Sequence, residues 1–140
     1  MLIVCTACHA PNRVPEERLR DDPVCGRCGA ALLSGTTVDL GDASFDRVAA
    51  RTELPLVVDF WAAWCGPCKA MGPQFEAAAL ALKGRALCAK VDSDASPQLA
   101  KRYGIRSIPS LLLFKGGVEV RRQAGALSQA QIVAWVNGTR

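Results

Sequence analysis

Cysteine spacing constrains what this chain can fold into more than any other sequence feature. Seven cysteines occur in 140 residues, and six of them form three C-x-x-C pairs. The pairs are Cys5 with Cys8, Cys25 with Cys28, and Cys65 with Cys68, and the seventh cysteine is Cys88. In a reducing compartment such pairs predict metal binding or redox chemistry rather than a framework of structural disulfides. Cys88 alternates with its neighbours in a strand pattern, which predicts a buried, unreactive thiol.

The first two pairs predict a zinc site. Sixteen residues separate Cys8 from Cys25, a spacing typical of four-thiolate zinc sites. Two residues between thiolates form a tight turn that points both sulfurs at one position, and two such turns complete a tetrahedron. Gly26 and Gly29 suit the second turn. Because a closed four-sulfur site has no open coordination position, we expect one structural Zn²⁺ held by Cys5, Cys8, Cys25 and Cys28.

Two alternatives stay open at this metal site. The four cysteines can instead form two labile disulfides, and His9, the only histidine, can replace Cys8 as a ligand. Residues 1–35 also contain three prolines and few large apolar side chains. Such a segment cannot bury enough apolar surface to fold around a core of its own. We therefore predict a zinc-binding four-cysteine extension over residues 1–35 and a second domain over residues 36–140.

From residue 36 the hydrophobic pattern changes to that of an α/β domain. Apolar runs of strand length alternate with amphipathic segments in the order β-α-β-α-β-α-β-β-α. We expect Ser44 or Asp42 to cap the first of these helices and Ser96 to cap the third. Helical crossovers make the first strands parallel, whereas Gly116-Gly117 predicts a hairpin between the last two strands.

The third cysteine pair lies where a buried strand gives way to a helix, in the stretch Trp64-Cys65-Gly66-Pro67-Cys68. The free amides and the dipole at a helix N-terminus stabilise a thiolate on Cys65, and the thiolate is the species that attacks disulfides. Cys68, one turn into the helix, can then attack Cys65 and resolve a mixed disulfide. A third metal knuckle is the alternative, but no unpaired knuckle remains to complete its site. We therefore interpret this motif as a redox-active dithiol.

Asp59 interrupts an apolar strand over residues 56–61. A buried carboxyl there is expected to keep its proton above the ordinary pKa and to act as proton donor and acceptor for the thiols. The alternative is a side chain at an exposed strand end. Lys90, on the neighbouring predicted strand, can pair with Asp59 or can be an ordinary surface lysine. At Ile108-Pro109 a cis peptide bond is allowed, and the sequence alone does not decide between the isomers.

With these motifs in view, residues 37–137 resemble thioredoxin along their whole length. The matching stretches are residues 58–69, 90–92, 103–111 and 115–117, together with Gly125. With the four-cysteine extension, the chain is similar to the thioredoxin-2 type of bacteria. The resemblance implies an α/β thioredoxin fold, with a mixed central sheet flanked by helices and a small N-terminal zinc-ribbon-like domain. It also implies protein-disulfide reductase activity.

The resemblance further implies roles for individual residues. The implied catalytic residues are Cys65, Cys68, Asp59 and Lys90. Among them, Cys65 is the nucleophile, Cys68 the resolving thiol and Asp59 the buried acid and base. The implied client-binding residues are Trp64, Gly66, Pro67, Ile108, Pro109 and Gly125. Pro109 is expected to be cis and to face the dithiol, with the Ile108 backbone pairing with an extended client segment.

Partners and location follow partly from the resemblance and partly from composition. The resemblance implies no bound organic cofactor, and electrons from a separate NADPH-dependent flavoprotein, a thioredoxin reductase, passing to disulfide-containing client proteins. The net charge of +4 is scattered rather than clustered, so we expect no nucleic-acid binding. The apolar runs are too short to span a bilayer and the first residues lack a signal-peptide pattern. We therefore expect a cytoplasmic monomer without membrane partners.

Three rival interpretations remain at this point. The first is an oxidase or isomerase of the same fold, although the Gly-Pro between Cys65 and Cys68 resembles the reducing members. The second is an interaction module whose zinc ribbon binds a partner or nucleic acid while the dithiol is subsidiary. The third is a reductase regulated by its ribbon, in which oxidation of the zinc thiolates releases the metal.

Overall fold

The computed structural model describes residues 1–138, which form two sets of strands with helices around the larger one. The strands are β1 (Leu2–Val4), β2 (Pro11–Arg13), β3 (Thr37–Leu40), β4 (Leu56–Trp61), β5 (Leu87–Asp92), β6 (Ser110–Lys115) and β7 (Val118–Ala124). The α-helices are α1 (Phe45–Ala49), α2 (Gly66–Ala81), α3 (Pro97–Arg102) and α4 (Gln129–Asn137), and a 3₁₀ helix covers Glu16–Arg18. From residue 36 onward the order agrees with the pattern read from the sequence. Strands β1 and β2 were not predicted.

Two sheets organise these elements. The larger has five strands in the order β3-β5-β4-β6-β7, and the smaller is the antiparallel pair of β1 and β2. Strands β3, β5 and β4 run parallel, whereas β6 and β7 are antiparallel to their neighbours. Central strand β4 is almost wholly apolar because both of its faces are covered. The predicted mixed sheet flanked by helices is therefore confirmed.

Alternation along β4 directs its side chains to two separate cores. Val58 and Phe60 face a core shared with α1, α3 and the first residues of the chain. Val57 faces a second core that contains residues of α2 and α4. Asp59 lies two residues after Val57, so its side chain belongs to the face that α2 covers. Asp59 therefore lies on the sheet face covered by α2, the helix whose N-cap residue is Cys65.

The helix caps differ from the predicted ones in an informative way. Ser44 and Ser96 occupy the N-cap positions of α1 and α3, but neither side chain makes a capping hydrogen bond. Asp42 accepts instead from the amides of Gln98 (3.2 Å) and Leu99 (3.0 Å), at the start of α3. The predicted N-cap positions of Ser44 and Ser96 are therefore confirmed, but neither side chain makes the capping bond, and Asp42 caps α3 rather than α1.

The N-terminal extension packs into the core of the larger domain. Ile3, Val4 and Leu33 are buried in the same cluster as Val48 and Phe114. The first 35 residues cannot bury enough apolar surface among themselves. Packing against the larger domain supplies the buried surface that they lack. The extension therefore completes one face of the sheet instead of projecting from it.

Hydrogen bonds at β1 join the extension to the segment that follows α1. The Glu53 amide donates to the Leu2 carbonyl at 2.8 Å, and the Leu2 amide donates to the Glu53 carboxylate. The buried Thr52 hydroxyl accepts from the Val4 amide (3.3 Å) and donates to the Val48 carbonyl (2.6 Å). Within residues 1–138, no helix has both the length and the apolar character needed to cross a membrane.

Candidate active site and metal centre

The dithiol lies at the N-terminus of α2, as the sequence predicts. Cys65 is the N-cap residue in extended conformation, and its sulfur accepts a hydrogen bond from the Cys68 amide at 3.2 Å. Cys65 and Cys68 are joined by a disulfide with their Cα atoms 5.2 Å apart, so the structure is the oxidised form. On reduction, the same amide and the helix dipole are in place to stabilise a thiolate on Cys65.

Exposure alone does not distinguish the two cysteines. Cys65 is 5% exposed and Cys68 is 3% exposed. Their surroundings differ, because the Cys65 sulfur lies 3.8 Å from the backbone carbonyl oxygen of Ile108. Trp64, directly before Cys65, is 71% exposed. The exposed Trp64 and the Ile108 backbone thus both adjoin Cys65.

Asp59 is fully buried, so the alternative of an exposed strand end is wrong. Neither of its carboxyl oxygens has a hydrogen-bond partner among residues 1–138. Burial raises the pKa of Asp59 to about 7, and the positive charge of Lys90 lowers it only in part. A carboxyl that titrates near neutral pH can both accept and donate a proton under ordinary conditions.

Lys90 is the register neighbour of Asp59 on β5. Its ammonium nitrogen lies 4.5 Å from the centre of the Trp61 ring, a cation–π contact. No ion pair within 4.0 Å joins Lys90 to Asp59 in the part of the chain that the structure describes. The positive charge of Lys90 therefore lowers the Asp59 pKa without a direct ion pair, while the ammonium group contacts the Trp61 ring.

The predicted client-binding residues surround the dithiol. The Ile108–Pro109 bond is cis, as the resemblance implied, and the Gly125 amide donates to the Pro109 carbonyl at 2.9 Å. Gly125 has φ +94°, a conformation that favours glycine. Gly66 and Pro67 are exposed at the start of α2. Three chain segments that are distant in sequence thus meet around Cys65.

A groove beside the dithiol contains residues that the sequence analysis did not select. It holds about 190 Å³ and is lined by Trp64, Ser93, Asp94, Ala100, Ile105, Arg106, Ser107 and Ile108. The Trp64 indole nitrogen donates to the Asp94 carboxylate at 2.8 Å, which fixes the exposed ring against this groove. The contributing segments come together only in the folded chain, so no local pattern identified them.

The four extension cysteines form a cluster that fits a tetrahedral metal site. Their sulfurs lie within 4.8 Å of one another, with Cys5 3.7 Å from Cys28 and Cys8 3.6 Å from Cys25. Zinc–sulfur bonds of about 2.3 Å in a regular tetrahedron place the sulfurs ~3.8 Å apart. None of the four is disulfide-bonded, so the structure does not have the two alternative disulfides. The cluster contains Cys8 and not His9, so the alternative with His9 as a ligand is also wrong.

The two C-x-x-C knuckles have the same backbone hydrogen bonds. The amides of His9 and Gly29 donate to the carbonyls of Cys5 (2.8 Å) and Cys25 (2.9 Å). Both donors have positive φ, +64° at His9 and +78° at Gly29. His9 therefore contributes through its backbone, in the conformation that glycine provides in the second knuckle.

Asn12 connects the two knuckles and was missed by the sequence analysis. Its side-chain nitrogen lies 3.5 Å from the Cys25 sulfur, and its side-chain oxygen accepts from the Gly26 amide at 3.0 Å. The Cys28 amide, the Asn12 side chain and the Arg27 amide lower the pKa of Cys25 to about 6. These donors favour the thiolate that a metal ligand requires.

Cys88 has no part in either site. It is 3% exposed on β5, and burial, with a smaller contribution from Glu76, raises its pKa to about 12. A thiol with that pKa is protonated at neutral pH and is a poor nucleophile. The predicted burial of Cys88 is confirmed, and its raised pKa agrees with the predicted lack of reactivity.

Comparison with known proteins agrees with both sites. Residues 36–138 match the family model described as Thioredoxin, and residues 4–30 match the zinc-ribbon model described as Thioredoxin 2, N-terminal. Thioredoxin C-3 of Corynebacterium nephridii is 41% identical over 137 residues, which cover 98% of this chain and 94% of that protein. Thioredoxin of Rhodospirillum rubrum is 39% identical over 71% of this chain and 96% of its own length. A bifunctional thioredoxin reductase/thioredoxin of Mycobacterium leprae is 39% identical over 74% of this chain but only 22% of its own length.

Proposed function

Because the chain belongs to the thioredoxin family and is a thiol–disulfide oxidoreductase, we propose that it reduces client disulfides in two exchange steps, at Cys65 and then at Cys68. The observation that carries this assignment is the amide hydrogen bond from Cys68 to the Cys65 sulfur at the start of α2. It stabilises negative charge on Cys65 and makes that sulfur the attacking one.

In the first step the Cys65 thiolate attacks one sulfur of the client disulfide. The client S–S bond breaks, its second sulfur leaves as a thiolate, and a mixed disulfide joins the client to Cys65. The Ile108 backbone, 3.8 Å from the Cys65 sulfur, pairs with the extended client segment. Trp64, Gly66, Pro67, Pro109 and Gly125 form the rest of the docking surface.

In the second step Cys68 resolves the mixed disulfide. The Asp59 carboxylate takes the Cys68 thiol proton, and the resulting thiolate attacks the Cys65 sulfur. The bond between Cys65 and the client breaks, and the client sulfur leaves with a proton returned from Asp59. The product is the Cys65–Cys68 disulfide, which is the form seen in the structure. Lys90 keeps the Asp59 pKa from rising further.

We assign the extension a structural Zn²⁺ held by Cys5, Cys8, Cys25 and Cys28. The sulfur spacing and the amide donors around Cys25 support this donor set. Bound there, the ion would hold residues 1–35 in the fold while residues 36–140 carry the chemistry. A four-thiolate shell leaves no position for a substrate, so no exchange step uses the metal.

We further propose that electrons reach the dithiol from a separate NADPH-dependent flavoprotein reductase and that the protein works as a monomer in the cytoplasm. The Mycobacterium leprae relative, whose name joins a thioredoxin reductase to a thioredoxin, supports this type of electron donor. A reducing compartment would also keep the zinc thiolates unoxidised.

Reduction of an insulin disulfide with dithiothreitol as electron source tests the proposed function. We expect Cys65→Ser and Cys68→Ser each to abolish turnover, whereas Cys88→Ala, which also removes one thiol, keeps it. Asp59→Asn is expected to slow resolution of the mixed disulfide more than its formation. Equal slowing of both steps would contradict the role of Asp59. A reduction potential above about −200 mV, instead of one near −270 mV, would favour the oxidase or isomerase interpretation.

A further inference from the structure

The groove beside Cys65 determines which client residues the enzyme contacts next to the reacting sulfur. Cys65 is only 5% exposed and lies 3.8 Å from the Ile108 carbonyl oxygen. A client sulfur that reaches it must bring its flanking residues alongside Ile108. Trp64 and Ile108 line the groove, so those flanking residues enter it.

The two charged residues of this groove differ in what they already bind. The Asp94 carboxylate accepts from the Trp64 indole at 2.8 Å. Arg106 is exposed and makes no ion pair or hydrogen bond with any other residue in the range 1–138. Its guanidinium is therefore free to bind a carboxylate, whose geometry it matches with two parallel hydrogen bonds.

Other arginines near this side of the molecule already have partners. Arg102 binds the Asp46 carboxylate at 2.7 Å, and Arg122 binds Glu119 at 2.6 Å. The first pair joins α3 to α1, and the second lies within β7. Arg106, which lines the groove beside Cys65, has no such partner among the described residues.

A second group in the same groove also lacks a partner. The Ser93 hydroxyl oxygen is buried and has no hydrogen bond to any of the described residues. Buried polar atoms are normally satisfied, so an unpaired hydroxyl in a groove points to a ligand atom that completes it. A hydroxyl donates to a carboxylate or to a backbone carbonyl of an extended segment.

We propose that Arg106 and Ser93 make this groove selective for client segments that carry an aspartate or glutamate beside the cysteine to be reduced. The inference rests on the proposed function and names a substrate class for that same site. Arg106 binds the client carboxylate, and Ser93 donates a hydrogen bond to the segment that holds it. Arg106 is a specificity residue and takes no part in the exchange steps.

The test compares three disulfide peptides that differ only in the residue next to the cysteine: glutamate, glutamine or lysine. The second-order rate constant for their reduction by the full-length reduced protein is measured at low and high salt. An exposed ion pair contributes modestly, so we expect the glutamate peptide to react roughly two- to five-fold faster than the glutamine peptide at low salt. The difference should shrink at high salt because exposed charges are screened.

Four variants locate the effect. Arg106→Gln should remove the preference, and Arg106→Glu should shift it toward the lysine peptide. Lys101→Gln also removes one positive charge, but from a residue of α3 that does not line the groove. This control variant should keep the preference. Ser93→Ala should lower the rates of the glutamate and glutamine peptides together if its partner is the backbone, and that of the glutamate peptide more if its partner is the carboxylate.

The outcomes separate this inference from the proposed function. If the wild-type protein fails to reduce the glutamine peptide, the proposed function fails. If it reduces all three peptides at equal rates, or if Arg106→Gln keeps the preference, only the inference is overturned. An equal loss in Lys101→Gln and Arg106→Gln would overturn it as well, because net charge rather than the groove would then be responsible.

Discussion

At the scale of single residues, Asp59 shows how burial changes the chemistry of a carboxyl. The same environment that raises its pKa to about 7 also makes its charged form costly to the fold. The folded protein holds this proton up to about pH 7, whereas an unfolded chain releases it near 3.8. Between these values the folded state binds more protons, so the free energy of unfolding falls as pH rises and becomes level above about pH 7.

Replacing Asp59 removes this pH dependence. We expect oxidised Asp59→Asn to be more stable than the wild type at pH 8 by about 4 kcal/mol, at roughly 1.4 kcal/mol for each pH unit over which the proton is retained. The gap should shrink toward pH 4. Urea unfolding at several pH values measures it. A gap that does not change with pH would show that Asp59 is not protonated in the folded protein.

His9 contributes its backbone conformation rather than its imidazole. His9→Gly should keep the metal and stay within about 1 kcal/mol of wild-type stability, because glycine adopts positive φ readily. His9→Val should cost roughly 1–3 kcal/mol, since a branched side chain is strained there. Zinc content and urea unfolding report both effects. Loss of zinc in His9→Gly would instead identify the ring as a ligand.

At the scale of secondary-structure elements, the sequence predicted those features that depend on residues close to one another along the chain. Strands and helices from residue 36 onward follow from hydrophobic periodicity, and Ser128 caps α4 through its own first turn. Asp42 caps a helix that begins 55 positions further along, which no local pattern reveals. Asn12 and the groove residues other than Trp64 and Ile108 were missed for the same reason. The cysteine motifs were predictable because their spacing encodes their geometry locally.

The Asp42 cap predicts a measurable effect on α3. Asp42→Ala removes the acceptor for the Gln98 and Leu99 amides and should cost about 1 kcal/mol. Asp42→Asn keeps a side-chain oxygen and should lose less. Urea unfolding of the two variants distinguishes them. If both lose the same stability, the charge of Asp42 matters and its capping hydrogen bonds do not.

At the scale of the whole molecule, the ribbon and the thioredoxin domain share one core. Ile3 and Val4 are buried with Val48 and Phe114, and Thr52 hydrogen-bonds to both sides of the junction. The metal-site residue Cys5 directly follows β1, whose residues Ile3 and Val4 are buried in this shared core. Sequence analysis identified the two parts but not their packing, because that packing depends on surfaces rather than on motifs.

Removing the metal should therefore destabilise the entire chain. We expect a chelator, under reducing conditions, to lower the unfolding midpoint followed by tryptophan fluorescence by at least ~5 °C, or ~2 kcal/mol. All three tryptophans, Trp61, Trp64 and Trp135, lie outside the extension, so this signal reports the thioredoxin domain. A chelator that releases zinc and leaves the fluorescence midpoint unchanged would show that the two parts unfold independently.

The order of the two exchange steps is the central claim, and trapping the intermediate tests it most directly. Reduced Cys68→Ser protein is mixed with a client disulfide, and the covalent adduct is mapped by mass spectrometry. The mechanism predicts a stable adduct on Cys65 that dithiothreitol releases, and no comparable adduct in Cys65→Ser. An adduct on Cys68 in the Cys65→Ser protein, formed at the same rate, would contradict the assignment of Cys65 as the attacking thiolate.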